Sequence, residues 1–484
     1  MPKLIVNAFD ENNKLICAKV IITKREIEEG QQFNKGDIIS IKYIEGTGTL
    51  EISDTEIYVS VFCGKLYRPY KERVEFSEPG DVREITAILR KITDPVRKYN
   101  LYSFDAHSHV SRRKYDREKT VDLEQAAVIA KAEGFNCLIA GAPYDYDNHR
   151  EARTGIIRSK LPYRKQYADL LKRVSDDMFI MDVGNEYCKY RYGHVFLFNY
   201  DQMPPADQYR DPIYYPYEQA KHIPNTEEPK FTNVPISNAV YRSKGENTVA
   251  VYAHPTSWWY ENEDVTFVTN IASTLGFDIL TGAVDAVVVM GYRADHKYYQ
   301  DVWYDLLDNG YFVPGVAETD ACMDADKFEM PPYKTYVYID NFTLDDIAHA
   351  VKAGRCMVTS GPLLHFTVEG NLPGTRIERM EGKEYHIEIT AEACCDGPLS
   401  KIEIILNGKK YKEIPVEGKE HVFKNIKLHA PETDSYVLAK CYDMAGNVAI
   451  SNPVFIRNNP FVNIDYRSKV TIDVYKGKYP ATGS

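Results

Sequence analysis

Asp105-Ala-His107-Ser-His109 directly follows the apolar run from Leu101 to Phe104, and this stretch decides how the whole chain is interpreted. In an extended strand, residues two positions apart point the same way, so both imidazoles can reach one ion. Imidazole nitrogens are common ligands of protein-bound metals. A strand that ends in His-x-His therefore predicts half of a metal site, unless the two histidines simply lie on the surface.

The size and composition of the chain indicate a globular protein of several domains. At 484 residues the sequence predicts two to four domains, on a scale of about 100–200 residues for each. Hydrophobic residues make up 44% of the chain and charged residues 27%, which is typical of folded globular proteins. The formal net charge of −11 argues against nucleic acid or an anionic membrane surface as a partner.

The termini and the cysteines suggest a cytoplasmic protein. The first ten residues lack the apolar run of a signal peptide, and no later stretch is long and apolar enough for a transmembrane helix. The nine cysteines are odd in number and show no CxxC spacing, which fits reduced thiols. We therefore expect a cytoplasmic location, although a secreted protein trimmed of its signal peptide would look the same.

Hydrophobic patterning divides the chain into four segments. Residues 1–96 alternate apolar and polar in short runs, which predicts an N-terminal β-sandwich. Residues 97–361 alternate strands with helices, as in an open α/β sheet or a barrel. Residues 362–457 return to β patterning and predict an immunoglobulin-like sandwich, and residues 458–484 predict a strand followed by a polar tail.

The middle segment contains clear element boundaries. One helix is predicted to have a capped start within Thr120-Val-Asp122-Leu-Glu-Gln125 and to end at Gly134. Another is predicted from about Leu344 to Ala353, started by Thr343 and stopped by Gly354. The predicted buried strands are 178–183, 195–198, 249–253, 286–290 and 311–316. Residues 199–247 form a Pro- and Tyr-rich insertion that could be a substrate lid or a packing insertion.

Four further polar residues lie just beyond predicted strand ends: Glu186, His194, His254 and Asp320. In parallel α/β folds these ends converge on one face, so distant residues can share a site. The chain has only 12 histidines, and four of them lie at predicted strand ends: His107, His109, His194 and His254. With His107 and His109 these residues offer six ligands, enough for two ions about 3.5–4 Å apart that share a carboxylate and bridge a hydroxide.

Here the sequence resembles a known family. Asp105-x-His-x-His, Gly184-x-Glu followed by Gly193-His, Ala253-His-Pro and Thr319-Asp are similar to motifs of the PHP (polymerase and histidinol phosphatase) metallohydrolases. The flanking stretches 95–107 and 358–364 look like the carbaryl-esterase-like branch of CehA/McbA type. The resemblance covers nearly the whole chain and implies an α/β fold, a distorted (β/α)7 PHP barrel flanked by the two β-sandwiches.

The resemblance also implies a ligand assignment. One or two divalent ions (zinc, manganese or iron) are expected, the first held by His107, His109, Glu186 and Asp320, the second by Glu186, His194 and His254. Glu186, Asp320 and His254 are also expected to take part in catalysis. Amidohydrolase barrels begin and end with similar motifs, but they usually bridge their metals with a carboxylated lysine, where this chain has Glu186.

The sequence departs from the PHP pattern at a third metal position. Tyr115, Pro143 and Cys322 stand where many PHP enzymes have histidines. Three cations suit a phosphate monoester dianion. Loss of the third cation therefore favours an ester, carbamate, amide, phosphodiester or glycosidic substrate over a phosphomonoester. Cys322 could be a soft metal ligand, a nucleophile or a space-filling thiol.

Several residues after strand ends are candidates for substrate binding: Tyr144, Trp258, Arg293 and His296. Arg293 is the preferred anion anchor, because its guanidinium can clamp a carboxylate or sulfate-like group. The leading prediction is a metal-dependent hydrolase acting on a small-molecule or carbohydrate substrate, with no nucleic-acid or membrane partner and with an oligomer left open. The alternative is a non-catalytic, metal-containing protein that binds carbohydrate or a protein partner.

Overall fold

The computed structural model describes most of the chain: residues 1–27, 36–110, 122–141, 167–189, 193–200, 245–255, 257–262, 265–270, 275–291, 296–323 and 329–462. Within these ranges the protein is mostly β, with 29 strands and six helices. All six helices lie between Pro95 and Lys352. The described helices therefore lie in the middle segment or, for the first one, across its boundary with the N-terminal segment, and the described parts of the two flanking segments are otherwise built from strands.

Eight strands form the N-terminal sheet: β1 (Lys3–Asp10), β2 (Cys17–Thr23), β3 (Ile38–Glu45), β4 (Thr47–Glu51), β5 (Glu56–Phe62), β6 (Tyr67–Arg68), β7 (Tyr70–Glu75) and β8 (Val82–Lys91). They pair in the order β6-β8-β1-β4-β3-β2-β5-β7. Alternate residues of β1 face inward, with Leu4, Val6 and Ala8 in the core, as the period-two pattern predicts. Gly46 allows the turn into β4 because its φ is +73°.

The middle segment contains the strands that carry the predicted metal ligands: β9 (Leu101–Val110), β10 (Cys137–Gly141), β11 (Ile180–Lys189), β12 (Gly193–Phe198), β13 (Val249–Ala253), β16 (Ala286–Met290), β17 (Gly315–Ala317) and β18 (Ala321–Met323). They pair in this order from β9 to β17. Strand β18 follows β17 in the chain, lies off this path and pairs in parallel with β9. A separate hairpin joins β14 (Ser257–Asn262) to β15 (Val265–Asn270).

Six helices accompany these strands: α1 (Pro95–Tyr99), α2 (Leu123–Ala132), α3 (Ala168–Val174), α4 (Leu275–Leu280), α5 (His296–Asp308) and α6 (Leu344–Lys352). The predicted start of α2 is confirmed, since Asp122 and Gln125 form a capping box. Thr343 caps α6 by accepting a hydrogen bond from the Asp346 amide. The buried face of α2 packs against β10 and against β2 and β3 of the N-terminal sheet, and that of α6 packs against β13 and β19 (Lys334–Tyr338).

The last strands of the middle segment are β19 (Lys334–Tyr338), which pairs with β9, and β20 (Cys356–Thr359), which pairs with β19. The remaining strands are β21 (Leu363–Val368), β22 (Arg376–Ile377), β23 (Glu384–Glu392), β24 (Leu399–Leu406), β25 (Lys409–Lys419), β26 (His421–His429), β27 (Ser435–Asp443), β28 (Val448–Ser451) and β29 (Val454–Ile456). Strands β21-β23-β26 form one sheet, and β20-β28-β27-β24-β25 continue the middle sheet. Side chains of both sheets share one buried cluster, so the two sheets pack face to face.

A polar network, buried at Lys19 and Glu133, attaches the N-terminal sheet to α2. The ammonium of Lys19 lies 2.9 Å from Glu133 Oε1 and 3.2 Å from Glu329 Oε1, and the Tyr43 hydroxyl donates to Glu133 Oε1 at 2.7 Å. Glu133 caps α2, and Glu329 follows β18. The N-terminal sheet therefore contacts two segments that flank the predicted ligands.

Other sequence expectations have simpler outcomes. The segment divisions at residues 96, 361 and 457 stay predictions. Residues 458–462 contain no strand, and residues 463–484 lie outside the described ranges. No described helix combines the length and the apolar character needed to cross a membrane. Seven cysteines in the described ranges carry free thiols: Cys17, Cys63, Cys137, Cys356, Cys394, Cys395 and Cys441.

Candidate metal centre

All six predicted ligands lie at one edge of the middle strand path. His107 and His109 belong to β9 and are fully buried. His254 follows β13 directly, and Asp320 lies between β17 and β18. The structure thus brings together side chains separated by more than 200 positions in the sequence, as the convergence of strand ends predicts.

Two of the ligands lie inside strands, which corrects their predicted placement beyond strand ends. Strand β11 continues to Lys189 and contains Glu186, and β12 contains His194. The strands are longer because β12 runs antiparallel to both β11 and β13, so the end of β11 pairs with the start of β12. His194 therefore reaches the same edge from the amino end of its strand, opposite Ala253 in the register.

The first group of predicted ligands consists of the two histidines of β9 and the two carboxylates nearest to their Nε2 atoms. His107 Nε2 lies 2.9 Å from His109 Nε2, and Asp320 Oδ1 lies 3.2 Å from His109 Nε2 and 3.7 Å from His107 Nε2. Glu186 Oε2 lies 3.4 Å from His109 Nε2 and 3.7 Å from His107 Nε2. The donor atoms of His107, His109 and Glu186 lie close enough to one another to converge on one cation.

The second group uses the other oxygen of Glu186. Oε1 lies 2.8 Å from His194 Nδ1 and 3.3 Å from His254 Nε2. Glu186, His194 and His254 place one donor atom each within 4.8 Å of the others, as do Glu186, His107 and His109. Glu186 is thus the member common to both groups.

The electrostatics of the cluster favour positive charge between the carboxylates. Burial alone would raise the pKa of Glu186, but the imidazoles of His194 and His107 hold it well below its usual range. Burial opposes protonation of His107, yet Glu318 and Glu186 raise its pKa well above the usual value. The pKa of Asp320 is lowered in spite of burial, because His109 and His107 stabilise its charged form. Carboxylates in this state are suited to hold either imidazolium or metal cations.

Two buried carboxylates that the sequence did not identify as site residues support the cluster. Asp105 accepts hydrogen bonds from the amides of His107 and Thr319, both at 3.1 Å, and from the Thr319 hydroxyl. Burial raises the pKa of Asp105 to about 7. Glu318 Oε2 lies 2.6 Å from His107 Nδ1. The available signal was the spacing: Glu318 stands two residues before Asp320, and Asp105 two before His107.

Two of the predicted ligands have backbone conformations that residues other than glycine rarely adopt. The φ angle is +23° at His254 and +43° at Asp320. Such conformations persist where the surroundings hold them, and they concentrate at functional sites. The Asp320 amide is held by the His107 carbonyl at 2.9 Å, and the His254 amide by Glu318 Oε1 at 2.9 Å.

The remaining predicted site residues are not placed at the cluster. Tyr144 and Arg293 lie outside the described residues, as do Tyr115, Pro143 and most of the 199–247 insertion (201–244). Trp258 lies in β14, His296 begins α5 and Cys322 lies in β18, but the structure describes only their backbone. The substrate-binding roles, the lid and the three alternatives for Cys322 therefore stay predictions.

A separate group of possible ligands lies in the C-terminal segment. Cys394, Asp396 and Asp443 place donor atoms within 4.8 Å of one another. Asp396 already forms an ion pair with Lys65, and the Asn447 amide donates to Asp396 at 2.8 Å and to Asp443 at 2.7 Å. This group is therefore an internally bonded contact between the N-terminal and C-terminal segments.

No protein-family model and no curated protein matches the sequence. Among solved structures, one similar chain is a two-domain protein from Bacteroides vulgatus that contains a predicted PHP-like metal-dependent phosphoesterase. It is 10% identical, with 74% of this chain and 95% of that chain covered and a TM-score of 0.36. A Clostridium thermocellum CbhA fibronectin(III)-like module is 19% identical over 19% of this chain and 94% of that one, with a TM-score of 0.15. At TM-scores below 0.5, neither likeness establishes a shared fold.

Proposed function

We propose that this chain is a metal-dependent hydrolase of the PHP type. The position of Glu186 carries the proposal: Oε1 faces His194 and His254, and Oε2 faces His107 and His109. A buried carboxylate between two pairs of imidazoles can supply one ligand to each of two cations.

The path of the middle strands supports the same proposal. We infer that β9 to β18 form the distorted (β/α)7 barrel of the CehA/McbA branch. Counting β17 and β18 as one position, seven strand positions lead from β9 back to β9. The antiparallel β12 is the departure from regular alternation, and it still presents His194 at the ligand edge.

The donor set fits one or two divalent ions. We assign the first ion to His107, His109, Glu186 and Asp320, and the second to Glu186, His194 and His254. Imidazole nitrogens combined with carboxylate oxygens are ligands that zinc, manganese and iron accept. When bound, such ions lower the pKa of water and stabilise negative charge on a substrate oxygen.

The exposure of the side chains indicates the open side of the cluster. His194 keeps 21% of its side-chain surface exposed and Asp320 keeps 13%, whereas Glu186 keeps 1%. We infer that a small-molecule or carbohydrate substrate arrives on the side of His194 and Asp320. We assign to the Asp320 carboxylate the role of accepting a proton from an attacking water, and to Glu186 that of holding the buried side together.

The substrate class follows from the third metal position of the family. Tyr115, Pro143 and Cys322 replace the histidines of that position, so fewer cations would face the substrate. A site with less positive charge suits a less charged group than a phosphate monoester dianion. We therefore propose an ester, carbamate, amide, phosphodiester or glycosidic substrate.

Hydrolysis of chromogenic substrates tests this function. Protein loaded with zinc or manganese is assayed with p-nitrophenyl acetate, bis(p-nitrophenyl) phosphate and p-nitrophenyl phosphate, before and after chelation. We expect turnover of an ester or diester that chelation removes and added metal restores. Glu186→Gln should be inactive, whereas Glu51→Gln, a change at an exposed carboxylate of the N-terminal sheet, should match the wild type.

Two outcomes would contradict the proposal. Strong turnover of p-nitrophenyl phosphate alone would overturn the proposed substrate class. Metal uptake without hydrolysis of any compound, across a wider panel of carbamates, amides and glycosides, would instead favour the non-catalytic binding protein.

A further inference from the structure

Glu318 is a fully buried carboxylate that contacts both halves of the candidate metal centre. It follows β17 and lies two residues before Asp320. One of its oxygens contacts the ring of His107 and the other contacts the backbone of His254. Glu318 thus joins a ligand of the first proposed ion to a ligand of the second.

The contact with His107 determines which ring nitrogen faces the cluster. Glu318 Oε2 lies 2.6 Å from His107 Nδ1, and an ionised carboxylate only accepts hydrogen bonds. We therefore assign a hydrogen to His107 Nδ1 from this contact. When the ring is neutral, its lone pair is on Nε2, which lies 2.9 Å from His109 Nε2 and faces Glu186.

The contact with His254 holds a strained backbone. The His254 amide donates to Glu318 Oε1 at 2.9 Å, and the φ angle of His254 is +23°. This conformation turns the chain directly after β13 and directs Nε2 of His254 to within 3.3 Å of Glu186 Oε1. Loss of the acceptor would remove a hydrogen bond that holds this conformation.

The chain leaves space for Glu318 at Gly291, directly after β16. A Cβ atom at residue 291 would lie 2.8 Å from Glu318 Cγ and 3.1 Å from the Glu318 carbonyl oxygen. The first distance is shorter than real contacts of Cβ atoms. The absence of a side chain at Gly291 is thus a condition for the observed position of Glu318.

We propose that Glu318 is a positioning residue that orients the ligands of both ion positions through one carboxylate. Glu318, His107 and His254 also place one donor atom each within 4.8 Å of the others, but each Glu318 oxygen is already in a hydrogen-bonding contact with one of these two residues. Glu318 therefore acts through the His107 ring and the His254 amide rather than as a metal ligand. The inference rests on the proposed function, since it requires that His107 and His254 bind metal. Such outer carboxylates typically change metal affinity by about 10–100-fold when they are replaced.

Glu318→Gln is a sharp test because both partners of Glu318 are donors. A carboxylate accepts from the His107 ring and the His254 amide together, whereas a side-chain amide has one acceptor oxygen and one donor nitrogen. The glutamine can satisfy only one of the two. Gly291→Ala displaces Glu318 while the carboxylate is kept, so we expect a loss of affinity in the same direction.

The measurement is zinc and cobalt(II) affinity of the full-length protein, by competition with a chromophoric chelator. We expect Glu318→Gln to keep the wild-type number of ions but to bind them about 10–100-fold more weakly. The matched control is Glu392→Gln. Glu392 lies in the C-terminal segment and is also a buried carboxylate, with Lys98 and Tyr99 as its hydrogen-bond donors. Its metal affinity should equal that of the wild type.

NMR of protein with 15N-labelled histidine reports directly on the two ring nitrogens of His107, so it separates a positioning role from a merely structural one. In zinc-loaded wild type, the His107 signals should show hydrogen on Nδ1 and metal on Nε2, and in Glu318→Gln this signature should weaken or shift. Unchanged affinity and signals in Glu318→Gln would overturn the positioning role. Complete loss of one ion would identify Glu318 as a ligand and also overturn it, whereas a wild type that binds no metal would overturn the proposed function.

Discussion

The shared position of Glu186 predicts an unequal effect of two ligand substitutions. Glu186→Gln removes a negative charge whose oxygens lie 2.8 and 3.3 Å from one histidine pair and 3.4 and 3.7 Å from the other. Both ion positions should therefore be lost. His194→Ala removes a ligand from the second position only, since the His194 ring contacts Oε1 of Glu186.

The expected stabilisation by metal follows from this difference. A ligand at 1,000 times its dissociation constant stabilises the folded state by about 4 kcal/mol for each site. The free energy of unfolding of the wild type should therefore rise by about 8 kcal/mol with two ions bound. His194→Ala should gain about 4 kcal/mol and Glu186→Gln close to none.

The assay combines metal analysis with urea unfolding. Protein freed of excess zinc is analysed for its metal content, and unfolding is compared in zinc and in a chelator. We expect two, one and no ions for the wild type, His194→Ala and Glu186→Gln. Retention of one ion by Glu186→Gln, with half of the wild-type stabilisation, would refute the shared role of this carboxylate.

Three further predictions concern buried charged groups. Burial lowers the pKa of Lys334 from its usual 10.5 to about 8, so between these pH values the unfolded chain binds the proton that the folded protein has lost. The free energy of unfolding should therefore rise with pH in this window, by up to about 3 kcal/mol more than that of Lys334→Met. The measurement is urea unfolding of both proteins from pH 8 to 10.5, and the same pH dependence in both would contradict the prediction. Lys19→Met should destabilise the protein by about 3–5 kcal/mol, because it leaves Glu133 buried without its cation, and the double variant with Glu133→Gln should recover part of the loss in the same assay. Asp105→Asn should cost about 1–3 kcal/mol and weaken the first ion more than the second, because an amide cannot accept every hydrogen bond from His107 and Thr319; equal weakening in zinc titrations would contradict it.

Local sequence signals predicted where helices α2 and α6 begin and end, because these boundaries depend on residues close by in the chain. The capping box of Asp122 and Gln125 and the cap at Thr343 identified the starts of α2 and α6, because these hydrogen bonds form within one helical turn. Gly134 and Gly354 follow these helices with φ angles of +74° and +68°, which glycine adopts without strain. Such features need no tertiary contact.

The direction and length of the middle strands could not be predicted in the same way. The apolar runs of β11 and β12 look alike whether the strands pair in parallel or antiparallel, since the side-chain period is two in both cases. Only the pairing of residues 185–189 with 193–197 shows that β12 is reversed and that Glu186 lies within a strand. Glu318 was missed for a related reason, because its partners, His107 and His254, are 211 and 64 positions away.

The sequence by itself determined the chemistry of this protein: which residue types are present, in which short spacings, and at the ends of which apolar runs. His107 and His109 had to share a face, because that is a property of any extended strand. Only the tertiary structure decided that each oxygen of Glu186 meets a different pair of histidines and that Glu318 supports both groups. Those contacts depend on strand pairing and close packing across the whole middle segment, which are non-local and leave no mark in a short stretch of sequence.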